Sequence, residues 1–368
     1  MMLTEETANA SERPERIRDI KRQKKEQMKY RITLLICILA FLTVIGASVF
    51  IYLCVDRHLQ KEVMVIEQQE VVEETYTKEE LDAMVEQARQ EGMEEVLQNL
   101  ADSINSSSSL VTALRPLYKN DLVVASEGDY HFVPINPNLK MNSYKEENLR
   151  ILDNGFVEYV EGDKVISHKG IDVSKHQGDI DWQKVAADGV EFAFIRVGNR
   201  GYGSGAIVDD MQFEKNITGA ISNGIKVGVY FFSQAITVEE AKEEAEYVLQ
   251  KIAPYKITCP VVLDVEKVAD SEARMNKISK EERTENTLIF LETIENAGYK
   301  PMLYHNMEMA TLKMDMSRLE KYEKWFAYYN KEFYYPYAYS VWQYTDKGNV
   351  DGIGGNVDMN ISFTLWDD

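Results

Sequence analysis

Apolar and polar positions divide the chain into segments of distinct texture. Residues 32–55 form an unbroken apolar run of 24 residues without a single charged side chain. As a helix, such a run is about 36 Å long, enough to cross a hydrocarbon layer of about 30 Å with some tilt. A polar, acidic stretch follows. In it Thr77, with Glu80 three residues later, reads as a capping box that opens a helix. Leu81, Val85, Ala88, Gly92, Val96, Leu100 and Ile104 then recur at spacings of three to four, a single narrow stripe on an otherwise charged helix of about 29 residues. The Ser-rich residues 103–109 close it as a flexible joint. Such a stripe wants a partner, either a second copy in a coiled-coil homodimer or the protein's own surface.

Between residues 110 and 167 the pattern shifts to short alternating segments at 121–125, 130–134 and 156–160, broken by Asn-Pro-Asn and Asp-Asn-Gly turns. These predict short strands and hairpins. So few residues make a marginal core, so this β-rich piece is expected to pack on its neighbour. From residue 168 onward, apolar runs at 170–174, 192–197, 226–233, 260–266, 301–304, 325–329, 340–344 and 357–361 alternate with helical patterns. The helices are clearest at 209–223, 238–252 and 280–297. Eight strands with early helical crossovers predict an α/β fold, a β/α barrel whose later helices are short or missing. The expected organisation is a cytoplasmic basic tail (1–31), a transmembrane signal anchor (32–55), an acidic helical stalk (56–109), a small β-rich segment (110–167) and the barrel (168–368).

Charge sharpens this division. The 368 residues carry 41 basic and 61 acidic side chains, a net of −20. The first 31 residues are net +3, with nine Lys/Arg against six Asp/Glu, whereas everything after residue 55 is net −23. An acidic outer region has no basic face for phosphates, so nucleic acid is excluded as a partner. The cluster Arg16, Arg18, Lys21, Arg22, Lys24, Lys25, Lys29 and Arg31 flanks the apolar run on one side only. The positive-inside rule therefore places the N-terminus in the cytoplasm and residues 56–368 outside, in a single-pass cell-membrane protein. A cleaved signal peptide would have a shorter apolar region near the N-terminus and a small-residue cleavage site. Of the three cysteines, Cys37 and Cys54 lie in the run, which leaves Cys259 alone outside as a small core residue with no disulfide partner.

Candidate chemistry sits at the strand ends, where barrels place it. Asp172 ends the first strand, Asp264 and Glu266 the fourth, and Asp358 lies on the last. Two residues apart in extended chain, Asp264 and Glu266 project to one face, directly after the apolar run 260–263. Carboxylates entering a buried environment need a reason. One is glycoside hydrolysis, which uses a protonated carboxyl beside an ionised one. The other is a cation site or a salt-bridge cluster around Arg196. Tyr230, Tyr304, Trp325, Trp342 and Tyr344 lie at or near strand ends, where flat rings suit sugar faces. The segment 201–206 imitates a dinucleotide fingerprint, but the following strand ends at Ser233 without an acid for a ribose. No His-Glu-x-x-His or Cys/His cluster and no G-x-S-x-G elbow occurs, so neither a metal nor a cofactor is expected.

The motifs Asp172-Val-Ser-Lys-His-Gln-Gly178 with Ile180-Asp-Trp182, Phe192-Ala-Phe-Ile-Arg196, Gly228-Val-Tyr230 and Leu263-Asp-Val-Glu266 come in order along the barrel. Trp325 with Ala327-Tyr328, Trp342-Gln-Tyr-Thr345 and Gly355-Asn-Val-Asp-Met-Asn360 complete the series. Together they resemble glycoside hydrolase family 25, the Chalaropsis-type lysozymes or N-acetylmuramidases. The resemblance covers about half of the chain. It implies a flattened, irregular β/α barrel and retaining cleavage of the β-1,4 bond between N-acetylmuramic acid and N-acetylglucosamine in peptidoglycan. It makes Glu266 the general acid/base. Asp264 would orient the substrate's own acetamido group as nucleophile or stabilise the transition state, and Asp172 and Asp358 would complete an acidic floor. Tyr230, Arg196, Tyr304, Trp325, Trp342, Gln343 and Tyr344 are the expected substrate contacts. One position departs: many members carry His after the third-strand Tyr, where this chain has Phe231, so contacts on that side are expected to differ. With a membrane anchor, the resemblance implies remodelling of the cell's own wall. The reading from another class is a non-catalytic, membrane-tethered peptidoglycan-binding scaffold.

Overall fold

The structure, a computed structural model, describes residues 8–67, 76–106 and 109–366. The chain divides into two compact units, Met1–Arg89 and Gln90–Asp368. Helix α1 (Ala8–Glu67) contains the 34-residue segment Lys24–Arg57, which includes an 18-residue window of mean hydropathy 2.9 and is long and apolar enough to cross a membrane. Helix α2 (Lys78–Asn105) begins at the expected capping box. The Glu80 carboxylate accepts from the Thr77 backbone at 2.8 Å, and Thr77 Oγ1 accepts from the Glu80 amide at 3.2 Å.

A short α3 (Leu110–Leu114) leads into a hairpin of β1 (Asp121–Ser126) and β2 (Asp129–Pro134). A three-stranded sheet of β3 (Leu149–Ile151), β4 (Val157–Glu161) and β5 (Lys164–Val165) follows. As anticipated, this segment packs on its neighbour. Leu122, Val124, Val157 and Tyr159 are buried in the same apolar cluster as the outer face of the barrel.

The barrel strands are β6 (His168–Val173), β7 (Phe192–Arg200), β9 (Lys226–Phe232), β10 (Val261–Asp264), β11 (Pro301–Asn306), β12 (Glu323–Ala327), β13 (Val341–Gly348) and β14 (Val357–Ser362). The short β8 (Ile207–Asp209) hangs on the edge of β7. Closure comes from β6 pairing both β7 and β14. Helices α4 (Trp182–Ala187), α5 (Phe213–Ser222), α6 (Val238–Ile252) and α7 (Lys280–Asn296) make the early crossovers. After β11 only a single π-helical turn, Met309–Lys313, and loops connect the strands, as the sequence pattern predicts. The helix starts are locally encoded: Thr237 caps α6, and Ser279 with Glu282 forms a capping box on α7.

Six of the eight closures are parallel, but β14 runs antiparallel to both its neighbours. Asp358 therefore lies at the start of its strand rather than its end, and the reversal brings it level with Asp172, its register partner. Inside the barrel, Phe192, Phe194, Trp325 and Trp366 form an aromatic plug in which Phe194 stacks on Trp325 with centroids 4.6 Å apart. Room for these rings comes from glycine: a Cβ on Gly170 would lie 2.1 Å from the Phe192 ring, and one on Gly228 would lie 2.5 Å from Phe194.

Candidate active site

Above the aromatic plug the barrel interior turns polar: Asp172, Arg196, Tyr230, Asp264, Tyr304 and Gln343 line it from six different strands, with Arg196 two residues after Phe194 and Asp264 two after Val262 on the same inward faces. The result is an open cleft of about 390 Å³ at the end where the parallel strands finish. Asp172, Asp264, Glu266 and Asp358 line it together, with Arg196, Tyr230, Tyr304, Trp325 and Gln343 around them. Glu266 lies just past the end of β10, on the loop that leaves the barrel.

Amide side chains organise the floor. Asp172 Oδ2 accepts from Gln343 Nε2 at 2.8 Å and from Asn360 Nδ2 at 2.9 Å. Gln343 Oε1 in turn accepts from Tyr304 at 2.8 Å and Tyr329 at 3.0 Å, and Asn360 Oδ1 accepts from the Trp325 indole at 2.8 Å. Each amide thus has a fixed orientation, and Asp172 is held by two donors. Arg196 does not bond the cluster directly. Its Nε donates to Asp210 at 2.7 Å, and its charge reaches Asp264 through space.

Electrostatics favour protons on these acids. Burial, reinforced by the charge of Asp358, raises Glu266 to about 7. Asp358 rises to about 8 through burial and the neighbouring charges of Asp172 and Asp346. Burial also lifts Asp172 to about 6, against the pull of its two amide donors. Asp264 is pushed well above the usual carboxylate range by burial and by Glu266 and Asp172, with Arg196 opposing. Four carboxyls this close release protons as a set, so near neutral pH the cleft holds protonated and ionised carboxyls side by side. That is the pairing acid catalysis at a glycosidic bond requires.

Most expected site residues converge here, but two do not. Trp342 and Tyr344 are each 1% exposed and face out of the barrel, where Trp342 packs on Phe333 and donates to the Tyr328 carbonyl. Alternation along β13 turns Gln343 inward, so its two neighbours cannot also face the cleft. Phe231 is likewise buried in the outer core, so the departure at this position does not alter the cleft wall; Tyr230 and Phe232 on either side of it line the cleft. Tyr329, Asn360, His176 and Asp210 were not anticipated. Tyr329 shares a face with Trp325, and Asn360 with Asp358, so the two-residue period carried a signal for both.

The sequence model of Glycosyl hydrolases family 25 matches residues 171–353, which include Asp172, Asp264 and Glu266. Among curated relatives, the uncharacterized protein YegX of Escherichia coli is 32% identical over 203 residues, covering 52% of this chain and 68% of its own. The autolytic lysozyme of Clostridium acetobutylicum is 26% identical over 193 residues, covering 52% of this chain and 55% of its own. Among solved structures, the modular autolysin LytC of Streptococcus pneumoniae aligns with a TM-score of 0.49 at 22% identity. That alignment covers 65% of this chain and 57% of the autolysin. A family 25 glycosyl hydrolase from Bacillus anthracis aligns with a TM-score of 0.46 at 25% identity, over 60% of this chain and 95% of its own. The chain belongs to glycosyl hydrolases family 25, and its barrel is a glycoside hydrolase domain.

Proposed function

We propose that this protein is a membrane-anchored peptidoglycan hydrolase. It cleaves the β-1,4 bond between N-acetylmuramic acid and N-acetylglucosamine with retention and remodels wall close to its own membrane. The observation that carries the reading is Glu266, a half-buried carboxyl raised to about 7 beside three other acids in a cleft with aromatic walls. A carboxyl that keeps its proton near neutral pH is a competent general acid.

In this mechanism Glu266 donates its proton to the glycosidic oxygen as the C1–O bond breaks. Positive charge then develops on the sugar ring and is stabilised by the remaining carboxylates. Asp264 has a buried Oδ1 without a hydrogen-bond partner, an acceptor suited to the acetamido N–H of the substrate. Holding that group lets its carbonyl oxygen attack C1 from the opposite face. Water, deprotonated by the Glu266 carboxylate, then opens the intermediate from the first face, so two inversions give retention. Asp172 and Asp358 supply the surrounding negative field, and Tyr230, Tyr304 and Trp325 the ring surfaces.

The apolar helix supports tethering, with residues 1–31 in the cytoplasm and the stalk of residues 56–109 as spacer and site of homodimerisation. A tethered enzyme reaches only wall near its own membrane, whereas one directed at foreign walls gains by diffusing. The test is release of reducing N-acetylmuramic acid ends from purified peptidoglycan by the full-length protein in mild detergent, with Glu266→Gln alongside. Release by the wild type that vanishes in the variant supports the reading. Co-sedimentation with the wall but no release would make the protein a tethered wall-binding scaffold.

A further inference from the structure

The carboxylate cleft does not end at Glu266. A second compartment of about 450 Å³ adjoins it and shares Glu266, Tyr304 and Tyr329 with it. Its far wall comes from residues that precede the family-matched region: Ser109, Val111, Arg115, Val123, Val124 and Ala125. From the barrel side come Tyr328 and Tyr334.

This wall is fastened to the loops around the acid. The Val123 amide donates to the Tyr334 hydroxyl at 2.7 Å, and Ser126 Oγ donates to Glu308 at 2.6 Å. In the hairpin turn, Glu127 pairs with Lys267 at 2.9 Å, and Lys267 is the residue after Glu266. The Arg115 guanidinium lies 3.6 Å from the Tyr334 ring centroid, donates to the Tyr328 hydroxyl at 2.5 Å and pairs with Glu332. A segment tied at so many points to the rim of the cleft is held in register with it. Its volume falls within the range of about 300–1,000 Å³ typical of ligand sites. The lining is mixed: tyrosine rings and aliphatic groups beside hydroxyl and charged groups. That mixture fits a pyranose, which has an apolar face and a polar rim.

We propose that residues 109–127 build an additional subsite, continuous with the carboxylate cleft, that binds a further sugar ring of the same glycan strand. The inference rests on the hydrolase reading above and adds that the segment before the barrel sets a preference for long glycans. Ala125 provides the test, because it is exposed and lies on the compartment wall, so a larger side chain there fills space without disturbing the core. The experiment compares kcat/KM of the full-length protein on peptide-free glycan oligomers of increasing length, for the wild type and for Ala125→Ser, Ala125→Leu and Ala125→Trp. Thermal unfolding is recorded for each.

The wild type should cleave long oligomers with a higher kcat/KM than the shortest substrate. That ratio should shrink as side-chain volume rises, by about tenfold for tryptophan, with Tm unchanged. A wild type that cleaves without length preference, or variants that keep the wild-type ratio, would overturn the subsite. So would a preference that follows the presence of stem peptides rather than the number of sugars. Absence of cleavage by the wild type on every substrate would instead sink the hydrolase reading on which the subsite rests.

Discussion

Replacing Glu266 by glutamine separates function from stability. The substitution keeps the shape of the side chain and removes both its proton and its charge. In the folded protein the carboxyl is raised from its ordinary 4.5 to about 7 by burial and by Asp358. Between those two pH values the native state holds a proton that the unfolded chain has released. Wild-type stability therefore falls as pH rises through this window and stays low above it. At 1.36 kcal/mol per pKa unit, the ionised side chain costs the native state up to about 3 kcal/mol above pH 7, part of it shared with the neighbouring acids. Glutamine has no such cost. Near pH 4 the two proteins should be about equally stable, and by pH 8 the variant should be the more stable by up to about 3 kcal/mol. For a domain of this size that is a Tm gain of several degrees, up to about 10 °C. The assay is thermal unfolding of the full-length protein in detergent from pH 4 to pH 8.5, with activity measured in parallel. A variant no more stable than the wild type at pH 8, or a stability gap independent of pH, would refute the placement of Glu266 as a half-buried, proton-holding acid.

The same acid sets the pH dependence of the reaction. As pH rises through about 7, Glu266 loses its proton and kcat/KM should fall; a profile flat to pH 9 would contradict this. Asp358→Asn removes a negative neighbour that raises Glu266, so the alkaline limb should move to lower pH, and an unchanged or upward-shifted limb would count against the coupling. Trp342→Ala should behave as a core deletion, costing about 3–5 kcal/mol of stability in denaturant titration while leaving KM for peptidoglycan unchanged at temperatures where the protein stays folded. Gly170→Ala places a methyl group 2.1 Å from the Phe192 ring and should lower stability by at least about 1–3 kcal/mol in the same titration.

Much of this was legible in the amino-acid sequence because the governing interactions are local. The eight apolar runs that become barrel strands, the capping residues Thr77, Thr237 and Ser279, and the loss of helices after the fifth strand follow from periodicity and from which side chains satisfy free backbone amides. Asp264 and Glu266 were conspicuous for a similar reason, since carboxyls directly after an apolar run are costly without a purpose.

What only the tertiary structure decided concerns direction and facing. Alternation fixes which residues of a strand share a face, but both faces of a covered barrel strand are buried, so hydrophobicity does not reveal which one points inward. That ambiguity put Trp342 and Tyr344 among the expected contacts. Strand direction is equally invisible to local pattern. Asp358 meets Asp172 only because β14 runs antiparallel to its neighbours, a pairing between residues far apart in the chain. The wall that residues 109–127 add beside Glu266 likewise depends on contacts such as Val123 to Tyr334 and Glu127 to Lys267. The sequence determines which residues are available for chemistry and the local elements that carry them. Closure of the barrel, through long-range strand pairing, determines which of them meet.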